Sequence, residues 1–382
     1  MQAPVYLDHN ATTPLAPEVL EAMMPYLTDQ YANASSQHRA GQVAKKAVDQ
    51  ARAQIAKLIG AQSNEVVFTS GATESINLAL KGLVAQHPEK RHLISAPTEH
   101  KAVLDVLDAL AEVGCEISML PVQSDGLIDP TDLSEALRPD TLLVALMHVN
   151  NETGAIQPIQ QLADMAHEAG AFFMTDGTQA VGKLPLSVEE LGVDLMAFSG
   201  HKFYGPKGVG GLYVRSRRPF RVRLYAQIHG GGHERDLRSG TLNVPGIVGL
   251  GAAAELSQQR MKADTARIGV LRYQLESELL ALDGVHLNGH PAQRLYNVSN
   301  LRFDGVDADA LMMTLPHIAM ANGSACTSRL VQPSHVLQAM GLSDEEAYGS
   351  LRLSLGRGNT EAEIAQAGAS LKHAVERLRV MG

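Results

Sequence analysis

The sequence lacks tryptophan, and it has only two cysteines and few aromatic residues, which make up 4% of its 382 residues. Cys115 and Cys326 are far apart and neither belongs to a CxxC pair, so a disulfide and a zinc site are both unexpected. No apolar run reaches the roughly 18 residues of a membrane-spanning helix, and the first residues, MQAPVYLDHNATTP, lack the pattern of a secretory signal. We therefore expect a protein of the reducing cytoplasm, with no membrane partner and no metal.

Positive charge is also scarce, because 32 lysines and arginines stand against 41 acidic residues and leave a net charge of −9. A nucleic-acid-binding surface needs a basic face, so no nucleic-acid partner is expected. The hydrophobic fraction of 45% is ordinary for a globular protein with a core. At about 150 residues per domain, the length predicts two or three domains.

Apolar segments alternate with amphipathic segments over the first two thirds of the chain, an order typical of an α/β fold. Helices are predicted between the strands, as in ATESINLALKGLVAQH after the first of them. The strands are apolar throughout, which favours a mostly parallel sheet covered by helices on both faces. The predicted strands are EVVFTSG, RHLISAP, EISMLPV, TLLVALMHV, AFFMTDG and DLMAFSG.

The pattern changes at about Val244, where one long helix begins. A smaller α+β segment follows it and ends in a second long helix, TEAEIAQAGASLKHAVERLRVMG. We predict a large domain at residues 15–255 and a small domain formed by residues 1–14 and 256–382.

Polar residues follow the ends of five predicted strands. In such a sheet, ligands bind outside the carboxyl ends of the strands, so these residues are expected to converge on one cleft. The segments are SGATES (70–75), TEH (98–100), NNETG (150–154), DGTQ (176–179) and SGHK (199–202).

Three of these segments together match the needs of pyridoxal phosphate. SGATES opens a helix, where free N–H groups attract an anion such as phosphate, although Ser70 or Thr73 capping the helix is the plainer explanation. Asp176 suits the pyridinium nitrogen, although a structural carboxylate in a turn is an alternative. Lys202 suits a Schiff base, although a surface lysine is an alternative. An amine, an acid and an anion site at one sheet edge favour the cofactor.

A second candidate site lies in ANGSACTSR, residues 321–329. Cys326 stands there among small polar residues, a setting typical of a reactive thiol, whereas Cys115 has apolar neighbours and is expected to be packed in the core. Arg352 or Arg357 could bind a substrate carboxylate, or both could be surface charges. The glycine-rich segment 229–241 suits a loop that reaches across a cleft or a subunit boundary.

These motifs together resemble the NifS/IscS-type, group I cysteine desulfurases of the class V pyridoxal-phosphate-dependent aminotransferase family. The similarity runs from about residue 5 to about residue 375 and includes YLDHNATTP, GATESINLALKG, TEHKAVLD, MHVNNETG, TDGTQAVGKLP, FSGHKFYGPKGVGGLYV, GGGHERDLRSGTLN, GSACTS, PSHVLQAMG and LRLSLGR. The resemblance implies a fold-type I transferase, with a mostly parallel seven-stranded sheet in the large domain and a smaller α+β domain. Asp236 is a departure, because a glycine is usual at that position.

The resemblance also implies a role for each matching residue. Lys202 would bind pyridoxal phosphate covalently, Asp176 would pair with the ring nitrogen and His100 would stack on the ring. Gln179 and Asn151 would contact the side of the ring hydroxyl. The phosphate would be bound by Ala72, Thr73, Ser199 and His201, and by Thr241 from the other subunit of a homodimer.

Cys326, on a loop at about residues 320–332, would be the catalytic nucleophile. Arg352 would hold the substrate carboxylate, with Asn10, Asn151 and Gln179 in the same pocket.

The implied activity converts L-cysteine to L-alanine and leaves the sulfur on Cys326 as a persulfide. The persulfide would serve iron–sulfur cluster assembly or tRNA thiolation through an acceptor protein that the sequence does not identify. His100 is our hypothesis for the group that accepts or donates the proton at the thiol. The alternatives are a class V aminotransferase, which needs no thiol, a selenocysteine lyase, and a sulfur-relay module without catalysis.

Overall fold

The structure is a computed structural model that describes residues 4–218, 220–323 and 332–381. In its first half, helices and strands alternate as the apolar pattern predicts. In chain order these elements are β1 (Val5–Tyr6), α1 (Pro17–Thr28), α2 (Arg39–Ile59), β2 (Val66–Thr69), α3 (Ala72–Gln86), β3 (His92–Ser95), α4 (Lys101–Glu112), β4 (Glu116–Met119), α5 (Pro130–Ala136), β5 (Thr141–Ala145), α6 (Ile159–Glu168), β6 (Phe172–Asp176) and β7 (Leu195–Ser199).

The second half begins with a strand that the apolar pattern had not indicated and continues into the long predicted helix. The elements are β8 (Gly210–Val214), α7 (Val244–Leu280), β9 (Val285–Asn288), β10 (Val298–Phe303), α8 (Ala308–Thr314), β11 (Ile318–Ala319), α9 (His335–Ala339), α10 (Asp344–Tyr348), β12 (Ser350–Ser354) and α11 (Glu361–Met381).

The central sheet has seven strands in the order β2-β8-β7-β6-β5-β3-β4. The pairs from β7 to β4 are parallel, whereas β8 runs antiparallel to both of its neighbours, β2 and β7. The prediction of a mostly parallel seven-stranded sheet is therefore confirmed. Two of the five residues of β8, Gly210 and Gly211, are glycines, which explains why an apolar pattern missed this strand.

Both faces of the sheet are buried, because successive side chains of a strand point to opposite faces. In β6, Phe173 packs into the core shared with α2, α6 and the first half of α7. The next residue, Met174, packs into the core shared with α3 and α4. Apolar residues at both positions are what a parallel sheet between helices requires.

A second, antiparallel sheet has the strand order β12-β10-β9 and packs with α11 and the second half of α7. The N-terminal strand joins this part of the molecule, since β1 pairs in parallel with β11. The predicted boundary at residues 255 and 256 falls inside α7. Leu250 of that helix packs into the core that contains Phe173, and Leu271 packs against the antiparallel sheet, so a single helix connects the two halves.

The segment around Asp236 has an unusual backbone. Glu234, Arg235 and Asp236 have φ values of 48°, 58° and 64°, in the left-handed region that favours glycine. The buried carboxylate of Glu234 holds the segment in place. It pairs with Arg52 through contacts of 2.6 and 2.8 Å and accepts a hydrogen bond of 2.7 Å from the backbone N–H of Phe68.

Candidate active site

One cavity of about 360 Å³ lies at the carboxyl ends of the parallel strands. It collects side chains from the turns after β2, β3, β5, β6 and β7, together with the segment after β1. The predicted residues that line it are Asn10, Ala72, Thr73, His100, Asn151, Asp176, Gln179, Ser199, His201, Lys202 and Arg352. Residues far apart in sequence thus face a single space, as the rule for open α/β sheets predicts.

Lys202 occupies a tight turn, Gly200–Lys202, at the end of β7. Its Nζ donates hydrogen bonds to the backbone oxygens of Asn10, at 2.7 Å, and Ala11, at 2.8 Å. The N-terminal segment is itself tied to this turn, because the Thr13 N–H donates to the His201 oxygen at 2.9 Å. These bonds hold the amine against the N-terminal segment, and Lys202 lines the cavity.

Asp176 ends β6 and begins the turn that also supplies Gln179. Its Oδ1 accepts a hydrogen bond of 2.9 Å from the Thr178 N–H, which fixes the carboxylate at the cavity wall. Gln179 Nε2 donates to the backbone oxygen of Asn10 at 2.9 Å. Asn10 therefore accepts hydrogen bonds from both Gln179 and Lys202.

Lys183 is a residue that the sequence analysis missed. It is 5% exposed, and its Nζ donates to Gln179 Oε1 at 2.6 Å. Among residues 4–218, 220–323 and 332–381, no carboxylate forms an ion pair with it. Burial lowers the pKa of Lys183 to about 7, and the positive charges of Lys202 and Arg352 act in the same direction. A lysine between apolar residues, in AVGKLPL, was the only available signal.

The turn between β2 and α3, where an anion site is predicted, lies at the wall of the cavity. Gly71 is the N-cap residue and no side chain caps α3, so the explanation that Ser70 or Thr73 caps this helix is wrong. Instead, the Ala72 N–H donates to Ser199 Oγ at 2.7 Å, which joins the helix start to the end of β7. The Ser75 N–H donates to the Gly71 oxygen at 3.1 Å, whereas the N–H groups of Thr73 and Glu74 come too early in the helix to have a partner within it.

His201 lies at the same end of the cavity. Its Nδ1 is 3.1 Å from Thr12 Oγ1. Burial, together with the charges of Lys202, Lys207 and Lys183, lowers the pKa of His201 to about 4. The ring is therefore neutral at pH 7. Thr241, by contrast, is exposed and is absent from the residues that line this cavity.

Arg352 reaches the cavity from β12 and is 3% exposed. Its guanidinium donates to Asp8 Oδ1 at 2.7 Å and to the backbone oxygen of Asn151 at 3.1 Å. Asp8 was not predicted; its signal was a position two residues before Asn10 in YLDHNATTP. Arg357, the other candidate, instead contacts Asp264 at 2.6 Å and lies over the ring of Tyr204, so it stabilises the fold.

His100 begins α4, where its Nδ1 accepts a hydrogen bond of 3.1 Å from the Ala102 N–H. Its ring lines both the first cavity and a neighbouring cavity of about 360 Å³. Gly323 lies at the junction of the two cavities. The predicted nucleophile Cys326 lies outside the described residues. Cys115 is buried, as predicted.

A model of the family described as Aminotransferase class-V matches residues 5–366. This chain belongs to the class-V aminotransferase family. Two class-V relatives are named cysteine desulfurase IscS. The protein of Anaeromyxobacter dehalogenans is 50% identical over 384 residues, which cover 100% of this chain and 95% of the relative. The protein of Klebsiella pneumoniae is 49% identical over 383 residues, which cover 99% and 94%.

Solved structures of class-V relatives have the same fold. A NifS-like protein superposes with a TM-score of 0.90 and 37% identity, over 98% of this chain and 99% of that chain. SspA in complex with cysteine superposes with a TM-score of 0.81 and 38% identity, over 92% and 99%. The resemblance to NifS/IscS-type proteins and the predicted fold are therefore confirmed. Enzymes of this class depend on pyridoxal phosphate.

Among the residues that the structure describes, no helix has the length and apolar character that a membrane span requires. No group of three or more histidine, cysteine, aspartate or glutamate side chains is placed to bind a metal ion there.

Proposed function

We propose that this protein is a cysteine desulfurase, which takes sulfur from L-cysteine and releases L-alanine. The observation that carries the proposal is the composition of the main cavity. An amine, Lys202, a carboxylate, Asp176, and a guanidinium, Arg352, face one space of about 360 Å³. The IscS relatives, at 49–50% identity over nearly the whole chain, support the same reaction.

The cavity fits pyridoxal phosphate. Lys202 would attach it, Asp176 would face the ring nitrogen, and the start of α3 with Ser199 and His201 would bind the phosphate. Thr178 lines the cavity, and its buried Oγ1 has no hydrogen-bond partner among the described residues, an orphaned polar atom of the kind that a bound ligand can satisfy. When bound, the cofactor links to the substrate amine and takes up the electrons released at the α-carbon.

Arg352 would bind the carboxylate of cysteine. Asp8 holds the guanidinium in a fixed orientation, and a second carboxylate can approach its remaining N–H groups. Arg352 Nε is buried without a partner among the residues described. The complex of the similar SspA with cysteine supports this substrate class.

Lys202 and His100 are the groups that would move protons. The amine of Lys202 accepts the proton of the substrate α-carbon, a role suited to an amine that a turn presents to the cavity. His100 accepts a hydrogen bond from the Ala102 N–H at the start of α4, and an imidazole can exchange a proton with a sulfur atom near neutral pH. A His100→Gln protein that made persulfide at the parent rate between about pH 6 and pH 9 would exclude this role.

The transfer of sulfur to Cys326 needs no added oxidant or reductant. The thiolate of Cys326 attacks the substrate sulfur, an S–S bond forms and the C–S bond breaks. The electron pair of the broken bond stays on the carbon fragment, which gains protons and leaves as alanine. A free thiol has a pKa near about 8.5, so at neutral pH the site must help to remove its proton.

We further propose that the protein is a cytoplasmic homodimer. Thr241 would reach the phosphate of the partner subunit, in agreement with its exposure and with its absence from the residues that line this cavity. The persulfide acceptor would be an iron–sulfur scaffold or a carrier for tRNA thiolation.

The proposal is tested by mixing the protein with pyridoxal phosphate and cysteine and measuring both alanine and intact mass. The expected result is a gain of one sulfur atom on the peptide that contains Cys326. Cys326→Ala should abolish this gain and the release of alanine. If that variant released alanine at the parent rate, an aminotransferase-like or selenocysteine lyase activity would replace the proposal.

A further inference from the structure

One carboxyl group contacts both stretches of chain that flank residues 324–331. Glu152 lies in the turn after β5 and is 2% exposed. On one side, Ser334 Oγ donates a hydrogen bond of 2.5 Å to Glu152 Oε2. On the other side, a Cβ placed on Gly323 would lie 2.5 Å from the same oxygen, so the Gly323 backbone passes directly over the carboxyl group. Glu152 Oε2 therefore lies against both Gly323 and Ser334.

Both ends are specified by their local chemistry. Gly323 has φ +91°, a conformation that a residue with a side chain would adopt only with strain. Ser334 is the N-cap of α9, where its Oγ accepts from the Leu337 N–H at 3.2 Å. The ring of His335 lies 3.0 Å from the Glu99 backbone oxygen, so this end also rests on the turn that contains His100.

The backbone of Glu152 belongs to the wall of the active site. Its N–H donates to Asn150 Oδ1 at 2.9 Å. The preceding residue, Asn151, accepts a hydrogen bond from Arg352 through its backbone oxygen. The residue that contacts Gly323 and Ser334 is thus covalently next to one that orients the substrate-binding guanidinium.

Glu152 is also a costly residue to bury. Burial raises its pKa to about 7, while the hydrogen bond from Ser334 and the charges of Arg352 and His100 act to lower it. Lys101, His335 and Asp344 line the neighbouring cavity as well. No ion pair with Glu152 is found among the described residues. A buried acid without a direct cation destabilises a fold, which points to a role beyond packing.

We propose that Glu152 is a positioning residue for sulfur transfer: it holds Gly323 and Ser334 against the wall of the active site and so fixes where the segment with Cys326 begins and ends. This inference rests on the proposed function, because it assigns Glu152 to the step in which sulfur moves to Cys326. Glu152 does not touch the reacting atoms and leaves the steps at the cofactor unchanged.

The test compares three variants of the full-length protein loaded with pyridoxal phosphate. Glu152→Ala removes both contacts, Ser334→Ala removes one of them, and Glu112→Ala changes an exposed glutamate as a matched control. Rapid mixing with cysteine follows two signals: the absorbance change of the bound cofactor, and persulfide on Cys326 by intact mass. The third signal is the alkylation of Cys326 by iodoacetamide before cysteine is added, with buried Cys115 as an internal reference.

We expect persulfide formation in Glu152→Ala to slow by about 10-fold to 100-fold, the loss caused by misplacing a reacting group by about 1 Å. Ser334→Ala should slow it less, and Glu112→Ala should match the parent. The absorbance change should keep its parent rate in all three proteins. This split between two steps separates a positioning role from a general loss of structure.

The inference is overturned if Ser334→Ala and Glu152→Ala form persulfide at the parent rate, or if the absorbance change slows as much as persulfide formation. If Glu152→Ala does not fold, the rate of persulfide formation in Ser334→Ala decides whether the inference holds. If the parent protein itself forms no persulfide, the proposed function has failed. The anchoring role of Glu152 is then judged from the alkylation of Cys326 alone. In that case, an unchanged ratio of Cys326 to Cys115 alkylation in Glu152→Ala rules out the anchoring role.

Discussion

Lys183 Nζ lies 2.6 Å from Gln179 Oε1, and both side chains are buried beside the amine of Lys202. A charged lysine can only donate hydrogen bonds, so in the protonated state of Lys183 the oxygen of Gln179 must face its amine. Its NH2 group then faces the backbone oxygen of Asn10. Lys183 thereby fixes the orientation of a residue that we assign to the cofactor.

Replacing Lys183 should weaken cofactor binding and stabilise the fold at the same time. In Lys183→Met we expect the dissociation constant for pyridoxal phosphate to rise about tenfold, since a charged hydrogen bond contributes about 1.5 kcal/mol. At pH 6 the apoprotein should gain about 1 kcal/mol or more in free energy of unfolding, because the parent buries a cation there.

Two measurements test these effects of Lys183→Met. Titration of the apoprotein with the cofactor gives the dissociation constant, and unfolding in urea gives the stability. Lys372→Met, on the exposed face of α11, is the control. A variant that was both less stable and weaker in binding would show that Lys183 only supports packing.

Glu152 should make stability depend on pH. Its pKa is about 7 in the folded chain against 4.5 for an ordinary glutamate. Between these two values the unfolded chain loses the proton while the folded chain keeps it, so stability falls as pH rises. The contribution amounts to about 3 kcal/mol.

In Glu152→Gln this decline should be absent, and the difference in free energy of unfolding between variant and parent should grow from pH 4.5 to pH 7. Urea unfolding at several pH values measures it. A difference that stayed constant over this range would mean that Glu152 ionises normally in the folded protein.

Gly210 should be intolerant of a side chain. It pairs with Thr69 of β2 and Ser199 of β7, and a Cβ there would overlap the Phe198 oxygen and lie 2.7 Å from Gly71 Cα. Gly210→Ala should lower the free energy of unfolding by about 1–3 kcal/mol and weaken cofactor binding, because the start of α3 must move.

Gly358→Ala is the matched control for this change, since nothing lies within 4 Å of a Cβ at that position. Thermal unfolding and cofactor titration of both variants provide the comparison. Equal stability of the two proteins would contradict the close approach of Gly210 to Gly71.

The ion pair between Glu234 and Arg52 should be needed for the fold of segment 229–241. Glu234→Ala removes the carboxylate that pairs with Arg52 and accepts from the Phe68 N–H, and breaking a buried pair costs about 3–5 kcal/mol. Urea unfolding measures the loss, with the exposed Glu255→Ala as control. A loss under about 1 kcal/mol would show that the segment does not depend on this pair.

The sequence by itself determined the order of strands and helices and which residues follow the strands. Apolar strands such as AFFMTDG predict burial on both faces, and parallel strands end at one edge, so Asp176 and Lys202 could be expected near each other. The family motifs carried the same information. These features depend on local composition and on spacing along the chain.

Tertiary structure decided which side chains became partners. Strand β8, rich in glycine, inserts between β2 and β7 through pairing that no local pattern encodes. Lys183, Glu152 and Asp8 gained their importance from contacts with distant segments and from burial, which shifts the pKa of Lys183 and Glu152 toward 7. Burial and long-range contacts depend on the whole fold, so spacing in the chain could not reveal them.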